Sequence, residues 1–247
     1  MNPIDILLLT CNRGHLSKRT IDGIIERTRT PYRLIVIDNN STDDTVDILK
    51  KFDSENKIHK LILLDKEHTV NIAGAYNIGL EYVESEYFMT MQDDVIVPDV
   101  EPDWIQQLIA LMEKNPGHGG IGCRIQRIPN MKWLDGDLTP ARRSLSAYAR
   151  IQKKSDIDKL QDGFGLRDWD DLAFVSQVRG KLKKECSWAN NLWCNHIGHA
   201  VENRGYPDGY KRMWGWDKNR VLDFTHKPYP QIDPKTNKPL PGEKIYR

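Results

Sequence analysis

Four short apolar runs, each stopped by a polar turn and followed by a helical pattern, constrain this chain more than any other feature. Ile4 to Leu9, Leu34 to Ile37, Leu61 to Leu64 and Tyr87 to Met91 have the composition and length of buried strands. After the first, residues 15–28 place Leu16, Ile21, Ile24 and Ile25 at helical spacing. After the second, Ser41 and Thr42 stand as N-cap candidates of a helix through Phe52, with Asp43 and Asp44 in its first turn as the helix dipole favours. After the third, Asn71 opens a helix through Val83, with Ile72, Tyr76, Leu80 and Val83 on one face. Trp104 to Lys114 is a further predicted helix, and Gly120 to Ile125 a fifth strand. Strand and helix alternating at this distance predict an α/β fold built on a doubly wound, mostly parallel sheet with flanking helices.

Composition narrows the class. A chain of 247 residues is ample for a buried core, and 39% hydrophobic with 29% charged residues is the balance of a globular protein. A net charge of +1 argues against a nucleic-acid partner, which calls for a basic excess or stripe. No apolar run approaches the roughly 18 residues of a membrane span. The start, MNPIDILLL, has no basic segment and carries Asp5, so it reads as a strand rather than a signal peptide. Cys11, Cys123, Cys186 and Cys194 show no CxxC pairing and read as reduced thiols of a cytoplasmic protein.

Chemistry concentrates where the runs end. The fourth closes on Gln92, Asp93 and Asp94 before Val95, Ile96 and Val97 resume it. Two adjacent carboxylates repel each other, which is tolerable when a cation sits beside them. Ligands of open α/β sheets bind at the carboxyl ends of the strands, where this pair would lie. The plainer alternative is a solvated acidic turn.

Four segments at those strand ends carry a resemblance. They are Thr10-Cys11-Asn12-Arg13, Asp38-Asn39-Asn40-Ser41-Thr42-Asp43, the run from Asn71 through Gly74 and Asn77 to Leu80, and Gln92-Asp93-Asp94. In this order they resemble the nucleotide-sugar-binding half of a family 2 glycosyltransferase with the GT-A fold, over residues 4 to about 125. The resemblance implies an inverting, hexosyltransferase-type enzyme that moves a sugar from a nucleoside-diphosphate donor, a UDP-sugar by preference, to a hydroxyl of a glycan, lipid-linked or protein acceptor, with Mn2+ or Mg2+. It implies that Thr10, Asn12 and Arg13 line the nucleotide pocket and that Asp38 and Asn40 face base or ribose. Asn71, Gly74 and Asn77 would border that side, Gln92 and Asp93 would face the sugar and ribose, and Asp94 would bind the metal. Gln92 departs from the acidic residue many members carry there, which leaves open which aspartate touches the ion. Plainer roles remain beside these: a helix cap for Asn71, a turn for Asp38, a solvated loop for Arg13.

The chain reads as one domain over residues 1–226, a donor half to 125 and an acceptor half from 126, with an extended Pro-rich tail at 227–247. In the acceptor half, residues 126–168 are irregular, and Trp169, Leu172, Val175, Val178 and Leu182 suggest one helix. Trp214-Gly215-Trp216-Asp217 resembles the family's glycine–aromatic segment, which makes Asp217 the expected catalytic base and leaves Glu202 and Asp208 in reserve. A helix cap at Asp217 is the alternative. His226 would complete the metal site or else be a satisfied structural histidine, and Arg204, Lys211 or Arg212 would add charge near the leaving group. The segment Cys194 to His199 fits no usual zinc spacing. Two rival functions are a nucleotidyltransferase, for which TCNRGH is a poor triphosphate loop, and a catalytically silent sugar-nucleotide or glycan binder.

Overall fold

The computed structural model describes residues 2–68, 72–126, 135–160, 171–197, 232–233 and 238–239. The four apolar runs are strands: β1 (Ile4–Thr10), β2 (Tyr32–Asn39), β3 (Lys60–Leu64) and β4 (Tyr87–Gln92). All four run parallel, in the order β3-β2-β1-β4. Their register sets Thr10 beside Asp38 and Leu9 beside Gln92, so the polar strand ends meet at one rim.

Alternation along the strands explains why helices cover both faces. Ile6, Leu8, Leu34, Val36, Met89 and Met91 enter one core, with Ile21 and Ile24 of helix α1 (Gly14–Arg27), Leu49 and Phe52 of α2 (Thr45–Ser54) and Leu108 of α4 (Trp104–Lys114). Leu7, Ile35, Ile37 and Phe88 point the other way, against Ala75 and Tyr76 of α3 (Ile72–Leu80). Each fully buried Leu, Ile, Val, Phe or Met among them contributes about 1.5–3 kcal/mol by leaving water.

Two helix starts differ from the sequence expectation. The N-cap of α2 is Asp44, not Ser41 or Thr42. Ser41 is occupied across the loop, and Asp43 binds the N–H of Thr45 at 3.0 Å and its hydroxyl. The described part of α3 begins at Ile72 and ends at Leu80, three residues short of Val83.

The second half adds to the same sheet instead of staying irregular. Strands β6 (His118–Gln126), β7 (Leu138–Pro140), β8 (Ala149–Lys153) and β9 (Glu185–His196) complete, with the short β5 (Val95–Ile96), a nine-stranded sheet of order β3-β2-β1-β4-β8-β6-β9-β5, with β7 on β9. Strands β5, β7 and β8 are antiparallel to their neighbours, and the rest share one direction. Pattern reading misses β8 because its second face is polar yet sealed. Arg150 and Gln152 are fully buried there. Arg150 Nε donates to Gln152 Oε1 at 2.9 Å, Nη1 donates to the Leu145 carbonyl at 2.9 Å, and the guanidinium lies 3.6 Å from the Phe174 ring centroid. Hydrogen bonds from Nε and Nη1 and the aromatic face offset the cost of burying this charge.

A short α5 (Lys154–Ile157) follows β8. Over the expected 169–182 helix the described part is α6 (Asp171–Gln177), continued by a π-helical turn at Val178–Leu182. In the tail, β10 (Ile232–Asp233) pairs antiparallel with β11 (Lys238–Pro239).

Candidate active site

Asp93 and Asp94 occupy the turn between β4 and β5, both almost wholly buried. Burial of two adjacent carboxylates demands compensation, and neighbouring elements supply it. Thr10 Oγ1, at the end of β1, donates to Asp93 Oδ2 at 2.7 Å. Ser17 Oγ, one turn into α1, donates to the same oxygen at 3.1 Å. Arg13, the residue preceding α1, spans both carboxylates: Nη1 lies 3.2 Å from Asp93 Oδ1 and 2.8 Å from Asp94 Oδ2. Burial still pushes the Asp93 carboxyl up to about 6, against the pull of Arg13 and with the repulsion of Asp94.

The loops after β1 and β2 interlock beside this pair. Asn12 and Asn40 have left-handed backbones, φ 52° and 63°, a conformation Asn tolerates better than most residues. The Asn12 N–H donates to Ser41 Oγ at 2.8 Å, and its side-chain oxygen accepts from the Thr42 N–H at 2.6 Å. The Arg13 N–H donates to Thr45 Oγ1 at 3.0 Å. Asp38 is buried and accepts from the Ser41 N–H at 2.9 Å and from its hydroxyl. Burial raises the Asp38 carboxyl, against those Ser41 bonds. At Gly14 a Cβ would lie 2.6 Å from Asp44 Oδ1 and 3.1 Å from the Thr45 backbone, so glycine lets the starts of α1 and α2 meet without displacing either.

The sequence-predicted residues Thr10, Asn12, Arg13, Asp38, Asn40, Gln92, Asp93 and Asp94 thus gather at one rim. Gly74 and Asn77 are partly buried in α3. The Tyr76 hydroxyl of that helix donates to the Met91 carbonyl at 2.7 Å, tying it to β4 one residue before Gln92. Asn71, Asp217 and His226 lie outside the described residues, as do Glu202, Asp208, Arg204, Lys211 and Arg212.

His196 is the residue sequence reasoning passed over. Its Nε2 lies 3.3 Å from Asp94 Oδ2, and its ring meets that of Tyr148 edge-on, centroids 4.9 Å apart. Pairing of Val95 with His196 brings it there, and the Ile197 N–H donates to the Asp94 carbonyl at 2.8 Å. The register of β9 against β6 jumps from Cys123–Ala189 to Arg124–Trp193, a bulge that bends β9 back towards the end of β4. Buried Asn190 holds the bulge. Its side-chain oxygen accepts from Arg124 Nη2 at 3.0 Å and Thr139 Oγ1 at 2.7 Å, its amide donates to the Asp135 and Gly136 carbonyls, and its own carbonyl accepts from Trp193 Nε1. A CNHIGH string carries no local signal for a contact made 102 residues away.

No cluster of three or more His, Cys, Asp or Glu among the described residues could by itself hold a metal ion. A divalent cation that shares substrate phosphates needs only one or two protein carboxylates, and Asp93 with Asp94 fits that smaller requirement.

A doubly wound sheet carrying a buried aspartate pair at its carboxyl rim places a candidate ligand site there, and comparison with known proteins specifies the class. The family model "Glycosyl transferase family 2" matches residues 5–167, and the chain belongs to that family. An uncharacterised glycosyltransferase of Haemophilus influenzae is 26% identical over 125 residues, 51% of this chain and 37% of the relative. A poly-β-1,6-N-acetyl-D-glucosamine synthase of Staphylococcus epidermidis is 26% identical over 118 residues, 48% of this chain and 27% of the relative. The chain therefore spans about a third of those relatives' length. Among solved structures, S. aureus TarS residues 1–349 with UDP-GlcNAc gives a TM-score of 0.60 at 15% identity, covering 86% of this chain and 64% of that one. The mannosyltransferase PcManGT of Pyrobaculum calidifontis, with GDP-Man and Mn2+, gives 0.60 at 17% identity over 85% and 60%. These neighbours share the GT-A fold expected from the sequence.

Proposed function

We propose that this chain transfers a sugar from a nucleoside-diphosphate donor, a UDP-sugar by preference, to an acceptor hydroxyl with inversion and with a divalent cation. The observation that carries this reading is the buried Asp93–Asp94 pair, bridged by Arg13 at the rim where the β1 and β2 loops interlock. Family membership supports the reaction class. The UDP-GlcNAc complex of TarS supports the donor, and the Mn2+ complex of PcManGT supports the ion.

Asp94, with Asp93 beside it, would hold the cation against the donor diphosphate. A bound divalent ion neutralises the charge that grows on a departing diphosphate. Thr10 and Ser17 fix the Asp93 carboxylate, and the Asn12–Ser41–Thr42 lattice shapes the wall that would receive the nucleotide. Asp217 is the proposed base, taking the acceptor's proton as its oxygen attacks. His226, or His196 already beside Asp94, would supply an imidazole to the same ion.

Calorimetry with UDP and GDP, each with Mn2+, Mg2+ or chelator, tests the donor and the ion. Asp94→Asn should remove the cation-dependent part of nucleotide binding and nearly all release or transfer of sugar. Asp217→Asn should leave nucleotide affinity unchanged and lower the transfer rate by roughly 10²–10⁴. Wild-type turnover in Asp94→Asn would end the reading, and nucleotide binding with no sugar released by the wild type would mark a silent binder.

A further inference from the structure

The aspartate pair is already bridged by a cation of the chain's own. Arg13 Nη1 lies 3.2 Å from Asp93 Oδ1 and 2.8 Å from Asp94 Oδ2. The other Asp93 oxygen, Oδ2, is taken by the Thr10 and Ser17 hydroxyls at 2.7 and 3.1 Å. One guanidinium offsets half the charge of two ionised carboxylates, and burial makes the remainder costly. Arg13 is also built differently from the groups it bridges. Its side chain is 20% exposed, against 5% for each carboxylate. Its backbone is pinned, the N–H donating to Thr45 Oγ1 at 3.0 Å and the carbonyl accepting from the Leu16 and Ser17 N–H groups at 2.9 Å each. The guanidinium therefore has room to leave the carboxylates by side-chain rotation while the loop keeps its place.

Resting on the cation-dependent reading above, we propose that Arg13 is an exchangeable counter-ion that couples cation binding to donor binding. It holds the Asp93–Asp94 pair in the unloaded protein and gives up those oxygens to a divalent ion. The released guanidinium then pairs with the donor diphosphate. Competition follows from the contacts, because a divalent ion and a guanidinium at the same carboxylate oxygens repel each other. Pairing with the donor follows from the fork of guanidinium N–H groups, which matches phosphate oxygens two at a time. An ion arriving alone has to displace Arg13 from two carboxylates. An ion arriving with the nucleotide displaces it onto a new anionic partner. Each ligand thus raises the affinity of the other, by the same factor in both directions.

Calorimetry of Mn2+ binding to the intact chain, with and without saturating UDP, provides the test. In the wild type UDP should tighten Mn2+ binding roughly tenfold or more. Arg13→Gln removes the competitor, so it should bind Mn2+ alone about five- to tenfold more tightly and show a smaller enhancement by UDP. Nitrogen-15 NMR of the arginine side chains reads the exchange in the wild type itself, whether or not Arg13→Gln folds. The guanidinium resonance that Arg13→Lys removes should shift when Mg2+ and UDP are added together. Affinity for Mn2+ alone that is unchanged or weaker in Arg13→Gln overturns the proposal and leaves the cation-dependent reading in place. An Arg13 resonance that Mg2+ with UDP does not move does the same. Binding of UDP that ignores Mn2+ in the wild type ends that reading, and this proposal with it.

Discussion

The carboxylate of Asp38 is buried, yet both its oxygens serve Ser41, which in turn accepts from Asn12. We expect Asp38→Ala to weaken nucleotide binding by about 1.5–3 kcal/mol, the size of a hydrogen bond to a charged group. Because the shared lattice is what changes, Ser41→Ala should reproduce most of that loss in calorimetry with UDP. Full affinity in Ser41→Ala would instead make Asp38 a direct ligand contact. A binding residue and a turn residue were rival readings of Asp38 in the sequence; the structure shows the turn bonds to Ser41, and the binding role rests on these measurements. Arg13 was legible in the sequence as a residue of the rim at the end of β1. Its span across Asp93 and Asp94 was not, since residues 13 and 93 meet only through the register of β1 with β4. Ser17 was missed because a search of α1 for apolar spacing skips a serine that looks merely polar.

Among the elements, α4 shows how an end is fixed. Asp103 caps it, Oδ1 accepting from the Ile105 and Gln106 N–H groups at 3.1 and 3.0 Å. The same side chain accepts from the N–H groups of Arg29 and Thr30 and from the Thr30 hydroxyl, tying α4 to the turn after α1. Burial works to raise the Asp103 carboxyl and is outweighed by the Gln106, Thr30 and Arg29 donors, leaving it below its ordinary 3.8. A depressed carboxyl contributes stability above its unfolded pKa and loses it as pH falls through the folded value. Asp103→Ala should therefore cost about 2–3 kcal/mol near neutrality by urea unfolding, with the gap to wild type closing below pH 4. A gap independent of pH would contradict the charged cap. The α4 boundaries were readable because its apolar spacing is regular. Strands β8 and β9 were not: one buries Arg150 and Gln152, and the other is broken by the bulge at Asn190.

At the scale of the molecule, the two halves expected from the sequence share one sheet, β8 lying between β4 and β6. Far-UV circular dichroism reports both halves, whereas Trp188 and Trp193 sit in the second and Trp104 packs between the α1 end and α4. We expect both signals to follow a single coincident urea transition. Two separated midpoints would show that the halves are independent units. The parallel first half was legible because each strand is apolar on both faces, while the second half depends on contacts between residues far apart in sequence. The seam between them ends at Asp94, whose carbonyl is bonded to Ile197 and whose side chain meets His196. Substitutions in the stretches between β6 and β9 must leave this one point in place. A slip of β9 by one position would move the partner of Asp94, the carboxylate proposed to hold the cation.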